Sequence, residues 1–189
     1  MNARRVTRLI GSPTCTLAVL AAWGGVAMAR AAFIHLSIVG PSMAPTLIHD
    51  QRLWVNRWAY GVWSWTRTAA ATAPRRGDIV VFTPHDGSQL PSIKRVIALP
   101  GEVLTIVHNR VLVDGTPLDE PYLPEGTLTG PPQCISIAPD CYFVLGDHRE
   151  CSSDSRDYGP VPRARIAGRA FLRYWPPEDA AWLARHTRT

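Results

Sequence analysis

The sequence predicts an all-β domain of antiparallel strands behind one N-terminal transmembrane helix. Two observations support this fold class. Between residues 77 and 175, short apolar segments alternate with Gly, Pro and Asp, and no apolar period of helical length occurs there. Residues 9–29 form a long segment without a charge, bounded by arginines. The 189 residues are enough for one such domain and an appendage.

The first element is the uncharged segment "LIGSPTCTLAVLAAWGGVAMA" over residues 9–29. Helical residues rise about 1.5 Å each, so a segment of this length spans about 30 Å, the thickness of a bilayer core. Arg4, Arg5 and Arg8 precede it and Arg30 follows it, which favours a cytoplasmic N-terminus. We therefore expect a cytoplasmic stretch over 1–8, a membrane anchor over 9–29 and an exported domain over 30–189. The alternative is a cleavable signal peptide, because "AMARAA" has small residues at a cleavage-like spacing.

The charge distribution gives little indication of a partner. The net charge is +5, but the arginines are scattered in runs no longer than two, so we expect no nucleic-acid partner and at most a weak preference for a membrane surface. A cluster of aromatic residues also favours contact with a membrane surface: Trp54, Trp58, Tyr60, Trp63 and Trp65. Such a cluster favours a membrane-interface belt, and a crowded core segment is the alternative.

The strands follow in order along the chain. "FIHLSIV" leads into the Gly-Pro turn of "GPSMAPTL", and "RLWVN" predicts the next strand. From residue 77 we expect four strands, in "GDIVVFTP", "SIKRVIAL", "VLTIVHN" and "RVLVDGTPL", the last two forming a hairpin that turns near Asn109. Residues 114–141 are rich in Pro and Gly and predict a long loop. "CYFVLGD" and "AGRAFLRYWP" supply the last strands.

The cysteines agree with an exported domain. Cys15 lies within the predicted anchor, whereas Cys134, Cys141 and Cys151 lie together near the C-terminus. An oxidising compartment favours one disulfide and one free thiol. Cys134 and Cys141 flank "ISIAPD", whose Pro–Asp turn favours their pairing. The three cysteines and His148 have the spacing C-x6-C-x6-H-x2-C. This spacing lacks the closely spaced ligand pairs of zinc fingers, so we expect no metal site.

Lys94 and Ser42 are candidate catalytic residues. Lys94 is a single lysine among nineteen arginines and lies in the apolar strand "SIKRVIAL". Burial favours the neutral form of a lysine amine, which can act as a base, whereas arginine keeps its proton. The alternative is that one lysine remains by chance in an arginine-rich chain. Ser42 lies in the tight turn "GPSMAPT", where a plain turn serine is the ordinary interpretation. No G-x-S-x-G elbow occurs and no histidine has a recognisable triad setting, so a Ser–Lys dyad is the available chemistry.

Four segments in order give the chain a family resemblance. "GPSMAPTL", "RRGDIVVF", "SIKRVIALPGE" and "YFVLGDHRECSSDSRDYGPVP" resemble the motifs of type I signal peptidases of the serine–lysine kind. The resemblance implies an all-β catalytic domain that faces the membrane and needs no cofactor. It implies Ser42 as nucleophile, Lys94 as general base and the Ser42 backbone N–H as half of the oxyanion hole.

The resemblance also implies supporting residues. By motif position, Ser152 would hydrogen-bond and orient Lys94. Asp154 and Arg156 would form an ion pair, with Asp147 in the same network. A solvated polar loop is the alternative interpretation of these three charged residues.

The sequence departs from the family pattern at three positions. His148 and Cys151 stand where asparagine is usual or frequent, and Gly40 stands where some members carry a serine that helps the oxyanion hole. None of these changes removes the dyad. At Gly40 no side chain is present to help, so a backbone group or a water must supply the second donor.

The resemblance implies a preference for substrates with small residues at the first and third positions before the cut. Four apolar side chains are candidate walls of the corresponding pockets and equally good candidates for the core: Ile38, Met43, Leu47 and Ile93.

The function so implied is that of a membrane-anchored serine endopeptidase that removes signal peptides from exported preproteins at the bacterial cytoplasmic membrane. The expected partners are preprotein signal peptides, the lipid bilayer, and secretion or conjugation machinery. The alternative is a specialised conjugation-system peptidase that matures pilin or another dedicated substrate. A non-catalytic tethered β-domain would not need Ser42 and Lys94, and an autocleaving repressor would need a DNA-binding domain in place of the anchor.

Overall fold

The computed structural model describes residues 21, 23, 24, 32–61, 73–84 and 90–185. Within these residues the chain forms β-strands joined by turns, with the short α-helix α1 (Ser155–Tyr158). Residues 21, 23, 24 and 32 are helical as well. Four 3-10 turns accompany them, at Arg57–Tyr60, Arg149–Cys151, Arg163–Arg165 and Pro177–Asp179. The strands are β1 (Phe33–Ser37), β2 (Arg52–Asn56), β3 (Ile79–Phe82), β4 (Ser92–Ala98), β5 (Val103–Val107), β6 (Arg110–Val113), β7 (Thr116–Pro117), β8 (Gln133–Ser136), β9 (Cys141–Leu145), β10 (Val161–Pro162), β11 (Ile166–Trp175) and β12 (Ala181–Trp182).

The strands form two sheets. The larger sheet has the order β1-β2-β11-β3-β4-β9-β10, with β12 pairing to β11, and the smaller has the order β7-β6-β5-β8. Every strand pair of the described chain is antiparallel. The all-β, antiparallel prediction is therefore confirmed.

The hairpin and the long loop have different outcomes. β5 and β6 form the predicted hairpin, and His108 and Asn109 turn it with φ angles of 47° and 60°. The predicted loop over 114–141 is wrong in part, because β7 and β8 lie inside it. Residues of β8 alternate between half-buried and exposed as they pair with β5, and four such residues among prolines are too short a pattern to identify from sequence.

Three apolar clusters form the core and position the site. One lies between β5, β6 and β9, and includes Leu104 and Phe143. A second packs β1, β2 and β3 against the turn that follows β1, and includes Met43 and Leu47. Strand β3 is buried at every position, which explains its continuous apolar run. Strand β4 is buried from its third residue onward, and this buried stretch begins with two basic residues, Lys94 and Arg95. These two strands therefore form a rigid platform at the centre of the larger sheet.

The predicted anchor over 9–29 lies, apart from three residues, outside the described residues. Across the part of the chain that the structure describes, no helix has the length and apolar character required to span a bilayer.

The aromatic cluster is divided by the structure. Trp63 and Trp65 lie outside the described residues. Trp58 is 43% exposed and Trp54 is half-buried on β2. Tyr60 is buried, and its hydroxyl donates to Asp78 Oδ2 at 2.9 Å. The expectation of an interfacial ring is therefore wrong for Tyr60, which belongs to the core.

Candidate active site

Ser42 lies in a compact turn between β1 and β2. The Ala44 N–H donates to the Pro41 carbonyl at 2.9 Å, and the Leu47 N–H donates to the Met43 carbonyl at 2.8 Å. Met43 and Leu47 are 1% and 0% exposed, so two apolar side chains anchor the turn in the core. Ser42 itself is half-buried at the surface of the sheet.

Lys94 reaches this turn from β4. It pairs with Val80 of β3, and only 5% of it is exposed. Its Nζ lies 2.9 Å from Ser42 Oγ, which is hydrogen-bonding distance. Among the described residues Lys94 has no ion-pair partner. The structure therefore brings together the two residues that the sequence singled out.

The surroundings of Lys94 change its proton affinity. Burial lowers the pKa of the Lys94 amine from its ordinary value of 10.5, since the charged form loses solvation. The carboxylates of Asp154 and Asp147 raise that pKa, the Arg156 guanidinium lowers it, and the net shift is downward. The amine therefore releases its proton closer to neutral pH than an exposed lysine does.

Asp154 and Arg156 form the ion pair that the resemblance implied. Arg156 Nε donates to Asp154 Oδ1 at 2.8 Å and Nη2 donates to Oδ2 at 2.8 Å. Asp154 is fully buried and also accepts the Gly146 N–H at 2.9 Å. Arg156 in turn donates to the backbone carbonyls of Thr129 and Arg149, both at 2.7 Å. The pair thus holds the segment after β9 in place.

Gly146 is the point where this segment contacts the nucleophile turn. A Cβ atom added at Gly146 would lie 2.2 Å from Ser152 Oγ and 2.4 Å from the Ser42 carbonyl oxygen. The backbone therefore approaches Ser42 too closely for any side chain at position 146. The His148 N–H also donates to the Ser42 carbonyl at 3.1 Å. Sequence reasoning missed Gly146, although a Gly-Asp pair directly after a buried strand is a typical site of close backbone approach.

The hydrogen bond predicted from Ser152 to Lys94 is absent. Ser152 Oγ is buried against Gly146 and has no hydrogen-bond partner. Lys94 Nζ makes its hydrogen bond to Ser42 Oγ. Ser152 is therefore a close neighbour of the dyad whose hydroxyl is unsatisfied.

Asp147 belongs to a different ion pair from the one predicted. Arg95 Nε donates to Asp147 Oδ1 at 2.9 Å, and Nη2 donates to Oδ2 at 2.6 Å. Both side chains are essentially fully buried, and the Arg95 guanidinium stacks on the Tyr122 ring at 3.9 Å. Sequence reasoning missed Arg95, although an arginine within a buried strand is itself a signal of a buried pair.

The four pocket candidates lie mostly in the core. Ile38, Met43 and Leu47 are at most 5% exposed and belong to the second apolar cluster. Ile93 is half-buried and packs against that cluster. The structure thus favours the core alternative for the first three residues, because their side chains are used to anchor the turn.

The predicted disulfide between Cys134 and Cys141 is not formed, and Cys134, Cys141 and Cys151 are free thiols. Cys134 lies on β8 of the smaller sheet, where it accepts from Thr105 Oγ1 at 3.7 Å. Cys141 begins β9 of the larger sheet and packs against the first apolar cluster. The described residues contain no group of His, Cys, Asp and Glu side chains arranged to hold a metal ion.

Comparison with known proteins shows the family. The profile of the family described as signal peptidase, peptidase S26, matches residues 12–175. The signal peptidase I of Leptolyngbya laminosa is 42% identical over 148 residues, 74% of this chain and 67% of the relative. The probable signal peptidase I-2 of Synechocystis is 36% identical over 88% of this chain and 72% of the relative. The signal peptidase I of Bacillus caldolyticus is 36% identical over 79% of this chain and 84% of the relative.

A signal peptidase I from Enterococcus faecalis, known from a crystal structure, is 28% identical in sequence to this chain. The two structures align with a TM-score of 0.46 over 51% of this chain and 96% of that chain. The family profile and the sequence relatives lead to one conclusion: the chain belongs to the signal peptidase family, peptidase S26, and is a serine endopeptidase of that family.

Proposed function

We propose that this chain is a membrane-anchored endopeptidase in which Ser42 and Lys94 form the catalytic dyad, and that it removes N-terminal signal peptides from exported preproteins after small residues. The observation that supports the dyad most directly is the 2.9 Å separation of Lys94 Nζ and Ser42 Oγ, with Lys94 buried and unpaired among the described residues. The names of the sequence relatives support the substrate class.

The proposed reaction begins with neutral Lys94. Its Nζ accepts the proton of Ser42 Oγ as the oxygen attacks the carbonyl carbon of the scissile peptide bond. The resulting ammonium then protonates the leaving amine, which departs and leaves an acyl group on Ser42. Neutral Lys94 next accepts a proton from water as the water oxygen attacks the acyl carbonyl carbon. The Lys94 ammonium then returns that proton to Ser42 Oγ as the ester bond breaks and the carboxylic acid product leaves. Burial of Lys94 supports this sequence because it lowers the pKa of the amine and so favours the neutral form, which is the base.

The backbone N–H of Ser42 would stabilise the oxyanion. Among the hydrogen bonds of the described residues this N–H donates none, so it is available to a developing negative charge. The second donor is not a side chain at position 40. Gly40 has a φ of 87°, and its N–H donates to His49 Nδ1 at 3.2 Å. We assign the second donor to a water molecule or another backbone group.

The supporting residues would act through position rather than contact with substrate. Asp154 and Arg156 hold Gly146, which lies against Ser42 and Ser152. The unsatisfied Ser152 hydroxyl is available to accept from the Lys94 ammonium when Nζ turns from Ser42 to the leaving amine. In this proposal Ser152 orients the lysine only in its protonated state, which fits the missing bond in the resting structure.

We propose the same domain organisation that the sequence predicts. Residues 1–8 would lie in the cytoplasm, 9–29 would cross the bacterial cytoplasmic membrane, and 30–189 would lie outside it. The excess of arginine before the uncharged segment, three residues against one directly after it, supports this orientation. The β-domain begins at Phe33, so the dyad would remain close to the bilayer, where a signal peptide's cleavage site emerges.

The experiment that tests the proposal is cleavage of a preprotein by the purified full-length chain in detergent, compared with the Ser42→Ala variant. Wild type should release the signal peptide, and Ser42→Ala should not. The matched control is Ser37→Ala, which removes an exposed serine of β1 and should cleave normally. Cleavage by Ser42→Ala at the wild-type rate would contradict the proposed nucleophile.

A further inference from the structure

A cavity of about 370 Å³ opens next to the nucleophile turn. Ala44 and Pro45 form one wall, residues 124–127 form a second and residues 147–150 form a third. Ser42 is two residues from Ala44, and its carbonyl accepts the N–H of His148, which lines the cavity. A side chain in the cavity would therefore belong to a substrate residue near the scissile bond.

The far wall of the cavity is held in place from both ends. Before residues 124–127, Glu120 forms a buried ion pair with Arg149. After them, Thr129 Oγ1 accepts from Arg149 Nη1 at 3.1 Å. One buried arginine thus fixes the wall against the segment that carries His148, and the cavity exists without a ligand.

The charges around the cavity are not balanced. Two charged residues in its lining are neutralised, Asp147 by Arg95 and Arg149 by Glu120. Glu125 and Glu150 are exposed and have no ion-pair partner among the described residues. Glu150 accepts only the Leu128 N–H, at 3.3 Å. The chain as a whole carries a net charge of +5, so this acidic rim is opposite in sign to its average surface.

Part of the cavity lining is apolar, namely Ala44, Pro45 and Pro124. The cavity therefore combines apolar walls with two carboxylates at the rim.

We propose that this cavity binds a lysine or arginine side chain of the substrate, close to the cleaved bond. The methylene stem of such a side chain would pack on the apolar walls, and its cationic head would donate to Glu125 and Glu150. Glu125 and Glu150 are then specificity-determining residues. This inference rests on the proposed function, because it needs a peptide substrate that is cut at Ser42.

The test uses the full-length enzyme in detergent and a set of peptides with one small-residue cleavage site. Each of the three positions on either side of the cut carries lysine in one peptide and norleucine, its uncharged analogue of similar length, in another. At one position the lysine peptide should have a kcat/KM about tenfold higher than its norleucine partner, as expected for a charge-assisted contact. In the Glu125→Gln/Glu150→Gln double variant this ratio should fall to about one.

Asp119→Asn, which changes an exposed carboxylate outside the cavity, is the control and should keep the ratio. Wild-type ratios near one at every position would overturn the inference while leaving the proposed function intact. A ratio that survives in the double variant would overturn it as well. Failure to cleave any peptide would instead contradict the proposed function.

Discussion

Lys94 and Arg95 are consecutive residues of β4, yet their side chains meet opposite surroundings. Lys94 lies 2.9 Å from the Ser42 hydroxyl and has no ion-pair partner among the described residues. Arg95 binds both oxygens of Asp147, donates to the Gly77 carbonyl at 3.3 Å and stacks on Tyr122. Successive residues of a strand point to opposite faces, so one strand carries two buried basic residues in two separate environments.

The difference distinguishes Lys94, the proposed catalytic base, from Arg95, whose ion pair stabilises the fold. A buried charge is costly unless it is paired and hydrogen-bonded. Arg95 meets that condition, and its pair with Asp147 ties β4 to the segment after β9. Lys94 does not meet it, so burial lowers the pKa of its amine and favours the neutral form, a base beside a hydroxyl.

The largest effect should come from making position 94 resemble position 95. Lys94→Arg should lower kcat/KM for a preprotein by about 10³-fold or more, because arginine keeps its proton at any usable pH. The measurement is initial-rate cleavage in detergent, with near-ultraviolet circular dichroism as a check of folding. Arg110→Lys exchanges the same two residue types at an exposed position of β6 and should cleave normally. Substantial cleavage by Lys94→Arg would contradict the role of Lys94 as base.

The second effect should come from removing the partner of Arg95. Asp147→Ala would leave a buried, uncompensated guanidinium and should lower the free energy of unfolding by about 3–5 kcal/mol. Urea denaturation followed by tryptophan fluorescence measures it. Glu102→Gln breaks the more exposed Arg76 pair and should cost less. A loss under about 1 kcal/mol for Asp147→Ala would mean that the Arg95 pair does not stabilise the site.

The smallest effect should come from Ser152. Ser152→Ala should lower kcat by about tenfold, since the lysine ammonium would lose its acceptor, an effect of about 1.4 kcal/mol. It should leave the free energy of unfolding unchanged or slightly higher, because the buried hydroxyl has no partner in the resting structure. Ser153→Ala, its exposed neighbour, is the control. Unchanged kcat in Ser152→Ala would show that this hydroxyl has no part in orienting Lys94.

Local sequence patterns predicted the longer strands of the larger sheet, because apolar runs bounded by Gly and Pro specify them. They did not predict β10 and β12, which have two residues each and are too short for a pattern. Lys94 was identifiable because it is a single lysine in an apolar strand, whereas Ser42 was identified by the resemblance of its turn to a family motif. The Arg95–Asp147 pair could not be identified from the sequence, because its two residues are 52 positions apart and the pairing of β4 with β9 brings them together.

The errors in the cysteine and Ser152 predictions have the same origin. A turn between Cys134 and Cys141 suggested proximity, but the two residues enter different sheets. Motif position placed Ser152 near Lys94 and gave no information about where Nζ points. Spacing along a chain specifies neighbours within a turn or a strand, whereas the direction of a side chain depends on packing by distant segments.

The central claim is that Lys94 is neutral where the enzyme works, and the single lysine of this chain makes it directly measurable. Protein labelled with ¹⁵N or ¹³C in lysine alone has one side-chain signal, which can be titrated by NMR without assignment. Since burial lowers the pKa in the folded state, the signal should titrate below the ordinary value of 10.5, and kcat/KM should rise with pH through the same midpoint. A midpoint at or above 10.5, or an activity profile unrelated to it, would contradict the account.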